Sequence, residues 1–270
     1  MTTTTLFPVL YLPHGGGPLP LLGDPQHQEL AAFLSKITVQ LPQPTSIIVI
    51  SAHWEEPIAK ITGAAYPKII YDYFGFPEQS YHIQYNAPGN PSLAKTVLNL
   101  LQARGIESEI DNQRGFDHGL FVPLKLMYPD ANIPCIQVSL LHGLDPAAHI
   151  KLGEALASLR QQNCFIIGSG MSFHNLRAFF RPGIVHEDQS NAFHQWLIDT
   201  CSGEDLSTEQ RTRQLVNWEQ APNARLCHPR EEHLLPLQVC YGAAGYQSPM
   251  AEVVFNRTLM GHKVAGLLWR

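Results

Sequence analysis

Histidine is the residue type that stands out in this chain as a source of chemistry. The sequence holds 13 histidines against 18 lysines and arginines together. A neutral imidazole is the commonest protein ligand for metal ions, and histidine is also the side chain that titrates closest to neutral pH. The composition therefore favours an enzyme that uses histidine as a metal ligand or as an acid–base group.

Several histidines share a position: each lies after an apolar, strand-like run or at the start of a helical pattern, in a loop containing glycine or proline. The carboxyl ends of strands form the ligand-binding edge of an open α/β sheet, so these distant segments can converge there. Three neutral imidazoles around one ion would leave further positions open for substrate. The candidates are His14, His53, His118, His174 and His233, with His228 as a sixth.

Other chemistry is conceivable for the same segments. The glycines after His14 could form the oxyanion hole of an esterase, but the G-x-S-x-G motif that this requires is missing, because Ile167 stands where its first glycine should be. The run Gly15–Gly17 fits neither a dinucleotide-binding motif nor a P-loop, and no HExxH motif is present. A zinc-dependent hydrolase and a non-enzymatic binding protein remain alternatives.

Carboxylates next to these histidines could orient a metal-bound imidazole by accepting a hydrogen bond from its other ring nitrogen. We favour Asp117 or Glu232 for that role.

Strand-like and helical segments alternate along the chain. This alternation predicts an α/β fold, a single domain over residues 1–270 with a central, mostly parallel or mixed sheet flanked by helices. The predicted strands are Phe7–Leu12, Ser46–Ser51, Ile133–Leu140, Cys164–Gly168 and Val264–Leu268. The predicted helices are Gln26–Ser35, Pro91–Ala103, Pro146–Leu159, His186–Thr200, Glu209–Trp218 and His233–Gly242.

A long irregular stretch, Tyr66–Asn90, is rich in aromatic residues and prolines. Loops of this length in a compact domain are usually functional or act as lids. Aromatic side chains that could wall a pocket for an aromatic ligand are Trp54, Tyr73, Phe74, Phe76 and Tyr81.

Composition argues against several classes of protein. The formal net charge of -5 gives no basic footprint for nucleic acid. Apolar runs such as Ser46–Ile50 are too short to cross a membrane, and the N-terminus lacks the features of a signal peptide. The 5 cysteines are odd in number and form no CxxC motif, which favours a reducing, cytoplasmic location.

Five motifs together resemble one family, the class III extradiol ring-cleaving dioxygenases, and within it the DOPA 4,5-dioxygenase-like branch of the protocatechuate 4,5-dioxygenase B-subunit superfamily. The segment Asp72–Gly89 is also similar to this branch. The resemblance extends over nearly the whole chain, in the expected order. The motifs are Leu12–Pro18, Ser51–Glu55, Gly115–Leu124, Gly168–Asn175 and His228–Leu237.

The resemblance implies a non-haem Fe(II) site, with Zn(II) as an alternative ion. His14 and His53 match the first two ligands, and His233 matches the third, where the wider superfamily has a glutamate. Glu231 or Glu232 is a rival for that third position. His174 matches the acid–base histidine, and could also serve as a fourth ligand. His118 matches a second active-site histidine.

The implied reaction opens a catechol ring with O2 to a muconic semialdehyde. With DOPA, 4,5-cleavage would give seco-DOPA, which cyclises to betalamic acid or muscaflavin. An amino-acid substrate would need a cation for its carboxylate, and the sequence leaves the choice open among Arg177, Arg181, Arg225 and Arg230. Catechol and O2 are the expected partners, and the sequence does not predict an oligomeric state.

Overall fold

A computed structural model of the chain describes residues 6–181, 183–245 and 250–270. These residues form one mixed sheet of eight strands in the order β4-β3-β5-β2-β6-β1-β8-β7. In chain order the strands are β1 Val9–Pro13, β2 Ser46–Glu56, β3 Ala59–Thr62, β4 Ser108–Asp111, β5 Cys135–Leu141, β6 Cys164–Gly170, β7 Glu252–Leu259 and β8 His262–Trp269.

Helices flank this sheet and carry part of the core. The central helices α3 and α9 are almost wholly buried, whereas α4 buries 6 of its 11 residues and α7 buries only Arg211 and Leu215. The α-helices are α1 Gln28–Ile37, α2 Pro91–Ala103, α3 His118–Met127, α4 Pro146–Leu156, α5 Leu176–Phe180, α6 Glu187–Ser202, α7 Thr208–Val216, α8 Ala224–Cys227 and α9 Leu235–Ala244.

The middle of the sheet is parallel and its margins are partly antiparallel. β2 pairs in parallel with both β5 and β6, and β6 pairs in parallel with β1. β8 then adds to β1 antiparallel, as β7 does to β8. Parallel strands covered on both faces need apolar side chains, which is why β1, β2 and β6 contain the apolar runs Val9–Leu12, Ile47–Ile50 and Phe165–Ile167.

The predicted α/β class and the mixed sheet are confirmed, and each of the five predicted strands lies within or overlaps an observed one. The sequence analysis missed β3, β4 and β7. β3 and β4 are four residues each, too short for a periodic signal, and β7 is an edge strand without an alternating pattern, in which only Phe255 and Leu259 are buried.

Among the described residues, no helix combines the length and the apolar character needed to cross a membrane.

Candidate metal and catalytic site

Three histidines from separate elements converge at the carboxyl-end edge of the central strands. His14 directly follows β1, His53 lies near the end of β2, and His233 precedes α9. One ring nitrogen from each lies within 4.8 Å of the others, and the Nε2 atoms of His14 and His53 are 3.1 Å apart. Because β2, β6 and β1 are neighbours in the sheet, segments distant in sequence meet here.

The proton of the His14 ring is held on the nitrogen that faces away from this cluster. Its Nδ1 lies 3.0 Å from Ser169 Oγ, and that hydroxyl donates its own proton to the Gly119 carbonyl at 2.5 Å. Ser169 must therefore accept from Nδ1–H of His14, which leaves a lone pair on Nε2. The Gly119 carbonyl is available because Pro123, four residues later in α3, has no N–H to donate to it.

An irregularity in β2 carries His53 out of the regular ladder. Ile50 pairs with Val138 and Glu55 pairs with Leu140, so the four residues Ser51–Trp54 face a single residue of β5. Such bulges bend a strand and redirect its side chains. Ser51 anchors this turn, since its hydroxyl donates to buried Asp117 at 2.8 Å and accepts from the His53 backbone N–H at 3.2 Å.

One carboxylate orients two of the histidines. Glu232 Oε1 lies 2.8 Å from His233 Nδ1 and 3.2 Å from His174 Nδ1, and the two rings stack with centroids 3.4 Å apart. A carboxylate only accepts hydrogen bonds, so both Nδ1 atoms carry protons and both Nε2 atoms keep lone pairs. Burial is the largest single effect on the Glu232 carboxyl and would raise its pKa, but the hydrogen bond and charge of His174, with a backbone hydrogen bond and Arg230, together lower it.

A second histidine–carboxylate pair lies on the other side of the cluster. His118 Nδ1 is 2.9 Å from Asp72 Oδ1, which also accepts the backbone N–H of His118 and so satisfies the first turn of α3. The His118 ring lies over His53, with centroids 3.8 Å apart. Burial is the largest single effect on Asp72 and would raise its pKa, but the hydrogen bonds and charge of His118, together with the charge of His53, lower it.

The converging imidazoles are held in their neutral form. Burial first, and then the neighbouring histidines, place the pKa of His14, His53 and His233 well below the ordinary value of 6.5. Neutral imidazole is the form that binds a metal ion.

These residues fit a transition-metal ion. Two nitrogens 3.1 Å apart can both bond one ion at the usual metal–nitrogen distance of about 2.0–2.1 Å. Three imidazoles suit Fe(II) and Zn(II) alike. The other two groups of metal-compatible atoms in the described residues each share a histidine with the first: one is His53, Asp72 and His118, and the other is His174, Glu232 and His233.

The cluster lies in a cleft of about 600 Å³ with a mostly apolar wall. The wall comes from the glycine segment Gly15–Gly17, from the Tyr66–Asn90 loop, from α5 and from the β7–β8 turn. Residues lining the cleft besides the five histidines include Leu19, Ala52, Tyr73, Phe74, Phe76, Met171, Leu176, Phe179, Phe180, Arg230, Glu232 and Met260.

Packing against neighbouring residues shapes the glycine segment. The backbone N–H of Gly16 donates to His27 Nε2 at 3.0 Å, so it does not contribute to an oxyanion hole. His27 is buried and its Nδ1 lies 2.6 Å from Asp24. A Cβ at Gly17, where φ is +54°, would meet the Phe76 ring at 3.0 Å. Glycine is therefore required for the segment to pass between α1 and the aromatic loop.

The structure brings His14, His53, His118, His174 and His233 into one cleft, as the sequence analysis expected. His228 lies apart: it is fully buried, faces Phe193 and Trp218, and donates from Nε2 to the Ser172 carbonyl at 3.0 Å. Of the expected pocket aromatics, Tyr73, Phe74 and Phe76 line the cleft, whereas Trp54 and Tyr81 are outside its lining.

Of the candidate carboxylate clamps, Arg230 lines the cleft and Arg177, Arg181 and Arg225 do not. Of the two favoured orienting carboxylates, Glu232 contacts imidazoles directly, while Asp117 acts through Ser51 and Arg114. Sequence reasoning missed Asp72, Ser169 and His27. Asp72 and Ser169 lie inside the motifs quoted above, but their neighbours in sequence do not show which histidine each contacts.

The profile of the family described as the catalytic LigB subunit of aromatic ring-opening dioxygenase matches residues 8–267. A protein named dioxygenase tasH from Hapsidospora irregularis is 40% identical over 258 residues, covering 90% of this chain and 80% of that protein. A 4,5-DOPA dioxygenase extradiol from Mirabilis jalapa is 37% identical, covering 90% of this chain and 89% of the relative.

A crystal structure of an uncharacterized protein from Escherichia coli K12 has the same fold. It superposes with a TM-score of 0.76 at 30% sequence identity, and the match covers 97% of this chain and 99% of that one.

Proposed function

Because this chain belongs to the LigB family of aromatic ring-opening dioxygenases, we propose that it opens DOPA or a related catechol with O2, cleaving beside the two hydroxyl groups to give a muconic semialdehyde. For DOPA, 4,5-cleavage would yield seco-DOPA and, after cyclisation, betalamic acid. One observation carries the proposal: three neutral imidazoles converge in a cleft, flanked by two histidine–carboxylate pairs.

His14, His53 and His233 are the proposed metal ligands. Their pKa values are lowered by burial and by neighbouring histidines, so no proton has to leave before an ion binds at neutral pH. Fe(II) is the proposed ion of the active enzyme, and Zn(II) is a competitor for the same nitrogens. A bound Fe(II) would supply the electron transfer that lets a closed-shell catechol react with triplet O2.

The protein's own contribution is to hold and move protons. A catechol has to lose protons to bind as a chelate, and His174 or His118 can accept one at Nε2, since Nδ1 of each is occupied by a carboxylate. Glu232 and Asp72 then stabilise the resulting imidazolium. We propose His174 as the acid–base group, with His118 as the second active-site histidine.

Among the described residues that line the cleft, Arg230 is the one cation that could meet an amino-acid substrate. Arg230 lies on the side of His233 and Glu232, and it would meet the carboxylate of DOPA only by giving up its ion pair with Glu55. The name of the Mirabilis jalapa relative supports DOPA as the first substrate to test.

Anaerobic loading with Fe(II), followed by L-DOPA and then air, tests the proposed function. We expect O2 uptake and a yellow product that absorbs near the visible edge. His174→Ala should lower kcat by about 10²–10⁴-fold, the usual contribution of a general acid–base group. Metal-loaded protein that consumes no O2 with DOPA, catechol or protocatechuate would contradict the proposal and favour a zinc hydrolase or a binding protein.

A further inference from the structure

Large apolar side chains line the cleft and yet face solvent. Phe74, in the loop after β3, is 91% exposed, and Phe180 and Leu176, in α5, are 77% and 57% exposed. All three line the same cleft as the histidines, so they form its mouth. We call Phe74, Leu176 and Phe180 the apolar rim. An exposed apolar cluster continuous with a binding cleft is typical of a surface that contacts a ligand.

The cleft is larger than a bare catechol needs. Its volume of about 600 Å³ falls within the range of about 300–1,000 Å³ that is usual for sites holding drug-sized molecules. A single ring bound at the histidines would fill only the inner end. The space between that ring and the apolar rim is left for a substituent of the substrate.

The charged side chains in the cleft wall already form ion pairs with one another. Apart from histidine, the described lining residues with charge are Arg230 and Glu232. Arg230 is 2.5 Å from Glu55 and 3.5 Å from Glu232, and Glu232 also accepts from two imidazoles. A substrate carboxylate would have to displace Glu55 from Arg230, and displacing one anion with another gains little free energy.

From these observations we infer that the preferred substrate is a catechol with an uncharged apolar substituent, which lies against the apolar rim while the ring lies at the histidines. The inference rests on the proposed ring-opening function and specifies its substrate class. Phe74 and Phe180 are then specificity-determining residues. Each methylene buried against them should improve transition-state binding by about fourfold, corresponding to ~0.8 kcal/mol per CH2.

The first test compares kcat/KM of the Fe(II)-loaded enzyme for 4-methyl-, 4-propyl- and 4-pentylcatechol and for L-DOPA. We expect kcat/KM to rise with chain length and to be lower for L-DOPA than for 4-propylcatechol. In the double variant Phe74→Ser/Phe180→Ser, the ratio between 4-pentylcatechol and 4-methylcatechol should fall about tenfold. Tyr66→Ser is the matched control, because Tyr66 lies in the same loop, is 86% exposed and is outside the cleft lining.

Calorimetric binding of the same alkylcatechols to metal-free protein separates this inference from the proposed function. If no catechol is oxidised but affinity still rises with chain length in the parent and not in the double variant, the ring-opening proposal fails and the role of the rim stands. Affinity that is independent of chain length, or equally dependent on it in both proteins, would overturn the inference. So would a parent that self-associates through the rim and is dissociated by Phe180→Ser with no change in chain-length dependence.

Discussion

The position of one ring proton determines whether a histidine can bind a metal ion. In His14 that proton is held by a serine hydroxyl and in His233 by a carboxylate, and in both cases Nε2 is left with a lone pair. The two anchors differ chemically, because the acceptor for His233 is an anionic carboxylate and the acceptor for His14 is a neutral hydroxyl. Two ligands of one proposed ion are therefore oriented by different hydrogen-bond acceptors, a hydroxyl and a carboxylate.

Removal of the imidazole of His14, which follows β1, or of His53, which lies in β2, should abolish tight metal binding. For His14→Ala and His53→Ala we expect the affinity for Zn(II) to fall by more than the roughly 10–100-fold that outer-shell changes cost, because a direct ligand is lost. Competition with a chromophoric chelator measures this affinity.

His142→Ala is the matched control for these two variants. The His142 side chain is 55% exposed and lies outside the cleft lining, so its removal should leave the Zn(II) affinity unchanged. Parental affinity in His14→Ala or His53→Ala would show that the ion binds elsewhere.

Helix α3 connects the two strand-borne histidines. Asp117, just before the helix, accepts from Ser51 beneath His53, and the Gly119 carbonyl in its first turn accepts from Ser169 beneath His14. Only glycine fits at position 119, because a Cβ there would lie 2.3 Å from Ser51 Oγ. One helix start therefore fixes the orientation of both imidazoles.

Ser169→Ala should uncouple His14 from α3. It leaves the Nδ1 proton without its acceptor, so the ring can rotate or change tautomer, and we expect the affinity for Zn(II) to fall about 10–100-fold. Ser169→Thr keeps the hydroxyl and should restore most of that affinity. Chelator competition again provides the measurement.

Loss of stability alone would not produce this pattern. Ser108→Ala is the control, because Ser108 is also a buried strand serine whose hydroxyl donates to a carbonyl, but it lies on the distant edge strand β4. It should cost about 1 kcal/mol of unfolding free energy and leave metal affinity intact. Equal metal affinity in Ser169→Ala and the parent would refute the coupling.

Elements with local signals were predictable from sequence, and contacts across the fold were not. Helix α2 has the predicted bounds Pro91–Ala103, because Asn90 caps Leu93 N–H and Pro91 suits a first turn. The placement of histidines at strand ends predicted the cleft. The pairing of His118 with Asp72, 46 residues away, depends on the path of an irregular loop, which no periodicity encodes.

At the scale of the whole molecule, burial of histidine links stability to pH. His228 is fully buried between Phe193 and Trp218, and in the described structure its Nδ1 has no hydrogen-bond partner. Burial lowers the pKa of His228 to about 3, against a smaller opposing effect of the bond to the Ser172 carbonyl. Among nearby charges, His174 and Arg225 lower this pKa further and Glu232 raises it.

Stability should therefore decline as the pH falls below the unfolded-state pKa of histidine, about 6.5. Between that pH and about 3 the unfolded chain binds a proton at His228 that the folded protein excludes, so the free energy of unfolding falls by ~1.4 kcal/mol per pH unit for this residue. Other buried histidines with lowered pKa, such as His149, add to the slope.

Urea unfolding at pH 7, 6 and 5 measures the contribution of His228, with His228→Gln as the comparison. Glutamine can still donate to the Ser172 carbonyl but does not titrate. The free energy of unfolding of the variant should therefore fall less steeply on acidification, by about 1.4 kcal/mol per pH unit. The variant's lower stability at pH 7 does not affect this test, because only the pH dependence is compared. Identical slopes in parent and variant would mean that His228 becomes protonated without unfolding, contrary to its buried, neutral state in the fold.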